Sequence, residues 1–276
     1  MALYTIFGGR GFIGSEIANQ LKGLGEDVFI PARDDKNIFE RELGIVIYCA
    51  GNGDCKNEPF SVFEANVSLL AKLLEVAKFT RLIYISSTRV YMNQKQSNEK
   101  HDLTVCEDDN RRLFNLTKLV AEELCLKSGR DVSILRPSNV YGAALNSPLF
   151  LPAITRNAIS KGKVDMYINK TYSKDYVSVH DVANCCIKIS NNKNSLQKTI
   201  NIAAGYNIRA EQIADLLQAN TGCEIIWHDI DFPNEQFPVT DITTLKMLIP
   251  NYTPSNVLDD ISDMIISFKE KMTLER

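Results

Sequence analysis

The stretch LYTIFGGRGFIG, Leu3–Gly14, decides the fold. A short apolar run ends in three glycines spaced three residues apart, and an apolar pattern with helical spacing begins at once. Glycines at this spacing let a strand-to-helix turn tighten, let backbone amides approach a pyrophosphate and let the helix pack closely. Three glycines can also form a tight turn that holds no ligand. Because a strand precedes Gly8 and a helix follows Gly14, the pattern favours a dinucleotide-binding loop built on Gly8, Gly11 and Gly14.

Beyond this loop, short β-branched and aromatic runs alternate with longer helical patterns. Runs such as IVIYCAG (45–51) and RLIYISS (81–87) are almost wholly apolar, as strands are when helices cover both faces of a sheet. The alternation predicts an α/β fold, a doubly wound parallel sheet of the Rossmann type.

The regularity weakens after RPSNVYG (136–142) and returns with TINIAA (199–204). We therefore expect two domains. The first is a dinucleotide-binding domain over 1–142 with returning elements at about 176–204, and the second is a small, discontinuous C-terminal substrate lobe over 143–175 and 205–276.

Composition and charge exclude several classes of function. The chain carries 31 Lys and Arg residues against 34 Asp and Glu, a formal net charge of -3, and no basic block that would follow a phosphate backbone. No apolar run approaches the roughly 18 residues of a membrane-spanning helix, and the N-terminus enters a strand pattern without a cleavable leader. We expect a cytoplasmic protein that binds neither nucleic acid nor membranes.

The 7 cysteines are odd in number and several lie in apolar segments, which predicts reduced and mostly buried thiols. No C-x-x-C pair occurs, and the 3 histidines are scattered. We expect no metal site.

The residue at the end of the second strand separates NAD from NADP, because an acid there binds the ribose 2′-hydroxyl whereas an arginine accommodates a 2′-phosphate. Arg33 follows Gly14 by 19 residues. Arg10, inside the glycine loop, is placed to reach the same phosphate from the other side. Asp34 and Asp35 argue for NAD if the strand ends later, and Arg33 can also be a solvated surface charge. We expect NADP(H) in preference to NAD(H).

A series of motifs runs along nearly the whole chain. They are GGRGFIGSEIA, IVIYCAG, FEANVSLLAKLLEVAK, RLIYISSTRVY, FNLTKLVAEE, ILRPSNVYG and KDYVSVHDVA. Each motif is modest alone, but together and in this order they resemble the extended short-chain dehydrogenase/reductase family, the nucleotide-sugar epimerases, dehydratases and 4-keto reductases.

The resemblance implies a catalytic set. In the family a Ser or Thr binds the substrate oxygen, a Tyr in Y-x-x-x-K exchanges the proton during hydride transfer, and the Lys binds the nicotinamide ribose and lowers the Tyr pKa. These positions fall on Ser87, Phe114 and Lys118. Phenylalanine keeps the ring but can neither donate nor accept a proton, so we expect chemistry of the family type to be impaired.

Three explanations of Phe114 stay open. The phenylalanine was introduced to trap a complex, another residue supplies the proton, or the chain binds without catalysing. Tyr91, Thr88 and Cys106 are candidate donors, although none has the spacing to Lys118 that would tune its pKa.

The resemblance also implies a ligand set. Lys174 stands where the family usually has an Arg near the substrate phosphates, and it keeps the charge but loses the bidentate fork. The expected cofactor-binding residues are Gly8, Arg10, Gly11, Phe12, Ile13, Gly14, Arg33, Ala50, Lys118 and Asn139. The expected substrate-binding residues are Ser87, Thr88, Asn139 and Lys174.

Dehydratases of the family carry an Asp-Glu pair directly after the Ser or Thr, and this chain has Thr88-Arg89 instead. The expected function is therefore NADP(H)-dependent 4-keto reduction of an NDP-4-keto-6-deoxyhexose, because NADP suits net reduction whereas epimerases generally retain NAD. One alternative is a nucleotide-sugar epimerase acting through a transient ketone. Another is an NADP-binding sensor module without turnover, which Phe114 favours and the pair Ser87 and Lys118 opposes.

Two segments, PFSVFEANVSLLAKLLEVAK (59–78) and FNLTKLVAEELCLK (114–127), have broad apolar stripes at helical spacing. Members of the family commonly dimerise through a four-helix bundle of the equivalent helices, so the resemblance implies a homodimer. Packing of the same stripes against the sheet is the other explanation.

Overall fold

The computed structural model describes residues 1–145, 147, 149–229 and 235–274. In chain order the strands are β1 (Leu3–Phe7), β2 (Asp27–Phe29), β3 (Ile45–Tyr48), β4 (Arg81–Ile85), β5 (Val132–Pro137), β6 (Asn139–Tyr141), β7 (Lys163–Met166), β8 (Ser173–Ser178), β9 (Lys198–Ile202), β10 (Asn207–Arg209) and β11 (Glu224–Trp227). The helices are α1 (Phe12–Gly23), α2 (Pro59–Phe63), α3 (Leu69–Val76), α4 (Arg112–Lys127), α5 (Phe150–Lys161), α6 (Val179–Ser190), α7 (Ala210–Thr221), α8 (Thr243–Leu248) and α9 (Val257–Leu274).

Six of the described strands form one parallel sheet in the order β2-β1-β3-β4-β5-β9. Residues of β4 and β5 are buried along the full length of each strand, as near-continuous apolar strands require. The strand order reverses between β1 and β3, so a crevice opens at the carboxyl ends of these strands. The predicted doubly wound α/β sheet is confirmed.

Helices cover both faces of this sheet. On one face α1 packs against α6, and Ile17, Leu21 and Val182 share a core with the sheet residues Ile6 and Ile83. On the other face α3 and α4 pack against each other and bury a second cluster with residues of β3, β4 and β5. The side chains that this cluster buries from α3 and α4 include Leu70, Leu73, Ala121 and Cys125. Each of these helices thus buries one apolar face against the sheet.

Two small sheets, β10-β8-β6 and β11-β7, complete the described strands. They share a separate core with α5, α7 and α9, in which Ile154, Ile213 and Phe268 are buried. This separate core supports the division into two domains, which we keep as a proposal. Within the range expected for the smaller lobe, Leu245 of α8 and Ile249 pack instead into the core of the large sheet.

The segment 59–78 was expected to be one helix, and the structure interrupts it. A π turn, Glu64–Ser68, joins α2 to α3. Such a turn inserts extra backbone into a helix and is frequent at functional sites. Here it buries the polar side chain of Asn66.

All seven cysteines lie in the described part of the chain and are free thiols, of which Cys125, Cys185, Cys186 and Cys223 are buried. Among the described residues, no helix combines the length and apolarity needed to cross a membrane.

Candidate active site

The glycine loop lies between the end of β1 and the start of α1. Gly8 has a φ of +76°, and a Cβ there would lie 2.7 Å from the backbone nitrogen of Ala50. A Cβ on Gly14 would lie 2.3 Å from the carbonyl oxygen of Gly8. Side chains at these two positions would therefore collide with backbone. The first turn of a helix has backbone amides without intrahelical acceptors, so the start of α1 after this loop fits a pyrophosphate group.

Arg10 and Arg33 both lie near the carboxyl end of β2. Arg10 is exposed, and its Nη1 is 3.5 Å from the carbonyl oxygen of Pro31, which accepts its hydrogen bond. Arg33 is exposed in the following turn. Asp35, one of the two acids that argued for NAD, accepts a hydrogen bond from the amide of Asn37 and lies 3.8 Å from Arg41. The fold therefore brings the loop arginine to the end of the second strand.

Ser87, Phe114 and Lys118 converge at the carboxyl end of β4. Ser87 follows the strand, and its Oγ accepts a hydrogen bond from the amide of Arg89 at 3.1 Å, which begins a 3₁₀ turn. Phe114 lies in the first turn of α4, and Lys118 lies one turn later on the same face. The Lys118 Nζ donates to the carbonyl oxygen of Ile85 at 3.0 Å and lies 5.6 Å from the centroid of the Phe114 ring.

Burial lowers the pKa of Lys118 to about 8, and the carboxylate of Glu122 opposes this shift. The side chain is 95% removed from solvent. Desolvation disfavours the charged ammonium form, so Lys118 loses its proton near pH 8.

The π turn supplies a contact that the sequence did not reveal. Asn66 donates from Nδ2 to Thr117 Oγ1 at 3.0 Å, and its Oδ1 accepts the amide of Asn52 at 3.1 Å. A Cβ on Gly51 would lie 3.1 Å from Asn66 Oδ1 and 3.5 Å from Lys118 Nζ. The loop after β3 is thereby fixed beside Lys118. A polar residue inside an otherwise apolar helical stripe was the only signal in the sequence.

A buried polar network lies behind Ser87. Glu122 accepts hydrogen bonds from Ser86 Oγ and from Arg136 Nε, the latter at 2.9 Å. Arg136 also donates to the hydroxyl of Tyr91 at 2.6 Å, and this hydroxyl donates to Asn201 Oδ1 at 2.9 Å. Burial raises the pKa of Tyr91 to about 12. The Tyr91 hydroxyl therefore makes both of its hydrogen bonds within the buried network.

The other two candidate donors differ in position. Thr88 lines a cleft together with Asn139, Asp175, Phe237 and Thr240. Cys106 is half-buried, and its Sγ lies 3.9 Å from the carbonyl oxygen of Met92. Tyr91 also lines this cleft, but its hydroxyl is taken up by Arg136 and Asn201, whereas no such pairing holds the Thr88 hydroxyl among the described residues.

Asn139 and Lys174 reach this region from neighbouring strands. Asn139 Nδ2 donates to the carbonyl oxygen of Asp175 at 2.8 Å. Lys174 Nζ lies 3.9 Å from a carboxylate oxygen of Glu235 and 4.8 Å from the centroid of the Phe237 ring. Burial lowers the pKa of Lys174 to about 8, and the same direction of shift comes from the nearby cations Arg89 and Arg111.

Two arginines near Phe114 were not expected from the sequence. Arg89 pairs with Asp109 at 2.7 Å and with Glu235 at 3.0 Å. The guanidinium carbon of Arg111 lies 4.6 Å from the centroid of the Phe114 ring. Because the partners of Arg89 are 20 and 146 residues away, no local pattern identifies this arginine as part of the site. Arg111 contacts Phe114, three residues further along the chain.

The sequence of residues 4–203 matches the family whose description is "NAD dependent epimerase/dehydratase family". This range covers most of the chain. The chain belongs to the NAD dependent epimerase/dehydratase family. Membership agrees with the predicted resemblance and with the order of the motifs around Gly8, Ser87 and Lys118.

Solved structures share the fold of this family member. MoeE5 in complex with UDP-glucose and NAD is 18% identical, with a TM-score of 0.85 over 98% of this chain and 99% of that one. A Tyr-to-Phe mutant of UDP-glucuronic acid 4-epimerase from Bacillus cereus, in complex with UDP-4-deoxy-4-fluoro-glucuronic acid and NAD, is 16% identical. Its TM-score is 0.81 over 97% of this chain and 99% of that one. At these identities the likeness shows the fold alone.

A curated relative is more similar over a shorter range. GDP-6-deoxy-D-talose 4-dehydrogenase from Aggregatibacter actinomycetemcomitans is 32% identical over 111 residues. The alignment spans 39% of this chain and 35% of the relative. The chain thus matches about a third of the length of this relative.

The low pKa of Lys118 predicts a pH-dependent stability. The folded state releases the Lys118 proton near pH 8, whereas the unfolded state holds it to about pH 10.4. Between these values the unfolded state binds more protons, so the unfolding free energy of the natural chain should rise with pH. Relative to Lys118→Met, the gain should reach about 2–3 kcal/mol by pH 10.5 and vanish below pH 7. Urea unfolding at several pH values measures it.

The matched control is Lys127→Met, which removes an exposed lysine from the last turn of the same helix. Its stability difference from the natural chain should not change with pH. A pH-independent difference for Lys118→Met as well would contradict the assigned pKa.

Proposed function

We propose that this family member is an NADP(H)-dependent nucleotide-sugar 4-keto reductase that acts on an NDP-4-keto-6-deoxyhexose. The observation that carries the proposal is the position of Lys118, which lies 5.6 Å from the ring centroid of Phe114 and donates to the carbonyl oxygen of Ile85, two residues before Ser87 at the carboxyl end of β4. The arginines near the end of β2 support the use of NADP(H), and so support reduction as the direction of the reaction. The relative that is named a sugar 4-dehydrogenase supports C4 of the sugar as the reacting carbon.

Each residue has a role in this proposal. The Ser87 Oγ accepts from the Arg89 amide, so its own O–H is free to donate to the substrate carbonyl oxygen. Lys118, anchored on the Ile85 carbonyl, binds the nicotinamide ribose with its remaining N–H groups. Thr88, Asn139 and Lys174 bind the nucleotide sugar. When bound, the reduced nicotinamide supplies the hydride.

Arg10 and Arg33 favour NADP(H) in this proposal, with the glycine loop, Ala50 and Asn139 completing the cofactor site. Solved neighbours contain NAD. In this chain, however, Arg10 and Arg33 are both exposed and Arg10 reaches the carbonyl of Pro31 just after β2, and a phosphate is a better partner than a hydroxyl for such groups.

Dehydration is disfavoured by the environment of Thr88 and Arg89. These residues occupy the positions of the Asp-Glu pair of family dehydratases, and Arg89 is held by Asp109 and Glu235. A cation paired in this way cannot act as the general acid and base that water elimination needs.

The cofactor assignment predicts the effect of removing both cations. Arg10→Ala with Arg33→Ala should weaken NADPH binding at least about tenfold more than NADH binding, because charge-assisted hydrogen bonds contribute roughly 1.5–3 kcal/mol each before screening. Fluorescence titration of both cofactors against both proteins measures this selectivity. Lys22→Ala, an exposed cation of α1, is the control and should change neither affinity. Equal losses for NADH and NADPH would rule out the 2′-phosphate contact.

The catalytic assignment predicts that Phe114→Tyr creates or restores turnover. The half-buried ring is already accommodated, and the change adds one hydroxyl to it beside Lys118. Positioned acid-base groups contribute about 10²–10⁴-fold, so kcat should rise at least roughly a hundredfold. The measurement is steady-state NADPH oxidation across a panel of nucleotide-linked 4-keto-6-deoxy sugars, with stereochemical analysis at C4.

Adding Lys118→Met to Phe114→Tyr provides the control, because it keeps the new hydroxyl and removes the cation that tunes it. The gain should then be lost. Brisk turnover by the natural chain with no gain from Phe114→Tyr would show that another residue moves the proton. Tight NADPH binding with no reaction by either protein would support the sensor module, and interconversion of C4 epimers without net NADPH consumption would support the epimerase.

We also propose that the protein is a cytoplasmic homodimer assembled through a four-helix bundle. The helices α2, α3 and α4 leave a row of large apolar side chains in solvent, and Leu116, Val120 and Leu124 recur at every fourth residue of α4. An exposed apolar patch of this kind marks a protein interface. We name it the bundle face, and its residues are Phe60, Phe63, Val76, Leu116, Val120 and Leu124.

The dimer proposal predicts that the double substitution Val120→Glu with Leu124→Glu produces a monomer. In a dimer, the bundle face of each subunit would bury two carboxylates without partners. Light scattering after gel filtration measures the mass against the 31.0 kDa chain. Met247→Glu, a similarly exposed apolar residue of α8, should leave the dimer intact. A natural chain that runs as a monomer at micromolar concentration would end this proposal.

A further inference from the structure

Arg111 lies on the ring of Phe114. Its guanidinium carbon is 4.6 Å from the ring centroid. A Cβ placed on Gly53 would lie 3.0 Å from Arg111 Nη2 and 3.8 Å and 3.9 Å from Phe114 Cδ2 and Cε2. Arg111 Nη2 and the Cδ2–Cε2 edge of the Phe114 ring therefore border the same space beside Gly53. The absence of a side chain at Gly53 leaves room there.

Arg111 is a half-buried cation close to two carboxylates that are already paired. Burial lowers its pKa, and the neighbouring cation Arg89 lowers it further. The closest carboxylates, Asp109 and Glu235, both bind Arg89. Within the ranges that the structure describes, no hydrogen bond or ion pair reaches the Arg111 guanidinium. A half-buried guanidinium without a protein acceptor has its N–H donors available for an incoming negative oxygen.

We propose that Arg111 is a catalytic residue that donates hydrogen bonds to the substrate carbonyl oxygen, at the place where the family tyrosine would bind it. The inference rests on the proposed reduction of a C4 ketone. As the ketone is reduced, a C4–H bond forms, the C=O π bond breaks and its electron pair stays on oxygen. Arg111 and Ser87 stabilise this alkoxide from two sides. Water then protonates it, and the hydroxide that forms leaves to solvent.

The missing tyrosine hydroxyl would have two functions, and Arg111 replaces one of them. A tyrosine both stabilises the charge on the oxygen and transfers the proton. An arginine performs only the first task, because its pKa is too high for proton transfer. The chain as it stands would therefore reduce slowly, with water as the proton source.

A permanent anion on the substrate is a weaker explanation of Arg111. Lys174 stands where the resemblance places the contact to the substrate phosphates. Arg111, in contrast, lies on the ring that marks the reacting centre. The negative oxygen nearest to it is therefore the one that forms during the reaction.

The first test compares Arg111→Gln with Arg112→Gln, which removes an exposed arginine next to it in the chain. Loss of one donor to an oxyanion typically costs 10²–10³ in rate, so Arg111→Gln should lower kcat about a hundredfold or more without changing NADPH affinity. Arg112→Gln should change neither. In the Phe114→Tyr background the loss of kcat should be smaller, because the tyrosine hydroxyl also stabilises the charge on the oxygen. An unchanged kcat, or weaker binding of nucleotide-linked uronic acids alone, would overturn the proposal.

A second test does not depend on turnover and so separates this proposal from the proposed function. In Phe114→Tyr the introduced phenolate oxygen stands in for the alkoxide, and its pKa can be followed by NMR with ¹³C-labelled tyrosine. Adding Arg111→Gln should raise this pKa by about one unit or more, because a nearby opposite charge favours the ionised form. Adding Arg112→Gln should leave it unchanged. Equal pKa values with and without Arg111 would overturn the proposal, even if every keto sugar fails as a substrate.

Discussion

The buried ion pair between Glu122 and Arg136 is the interaction on which the site depends. Glu122 lies on the same face of α4 as Phe114 and Lys118, at intervals of four residues. Its carboxylate binds Ser86 at the end of β4 and Arg136 on β5, and Arg136 continues through the Tyr91 hydroxyl to a residue of β9. One network thus ties the helix to three parallel strands. Removing one partner of such a pair leaves an unpaired buried charge and costs about 3–5 kcal/mol, so the position of α4 is strongly determined.

Because this network holds α4 in place, it also fixes the positions of the two cations near Phe114. Phe114 lies between two cations, with the Arg111 guanidinium carbon 4.6 Å and the Lys118 Nζ 5.6 Å from its ring centroid. The face of an aromatic ring attracts cations, and it holds both in place without neutralising either. A tyrosine would add an acidic hydroxyl to this field. Under the proposed function, phenylalanine leaves the positive potential of Arg111 and Lys118 acting on the substrate oxygen but removes the proton donor.

Sequence patterns reveal the parts of this molecule that short segments specify. The strand, glycine turn and helix around Gly8 follow from local rules, and so do the apolar strands and the face shared by Phe114 and Lys118. Long-range pairs do not follow. Arg89 and Glu235 are 146 residues apart, and no periodicity links them. The π turn at Asn66 was missed for a related reason, because it forms where the buried amide meets Thr117 of another helix. The packing of Leu245 against the large sheet likewise depends on where the chain returns, which no local pattern reports.

Glu235 contacts Arg89, Tyr172 and Lys174 at unequal distances. Its carboxylate binds Arg89 at 3.0 Å, and the hydroxyl of Tyr172 donates to it at 3.1 Å. Lys174 lies at the longer distance of 3.9 Å. The pKa of Glu235 is lowered, because the hydrogen bond and charge of Arg89 outweigh its burial. Arg89 is therefore neutralised from both sides, by Asp109 and Glu235, whereas Lys174 is only weakly paired and Arg111 is not neutralised. Cations that keep their charge uncompensated are the ones that can bind an anionic ligand. Under the proposed function, Lys174 and Arg111 are therefore better placed than Arg89 to bind the substrate.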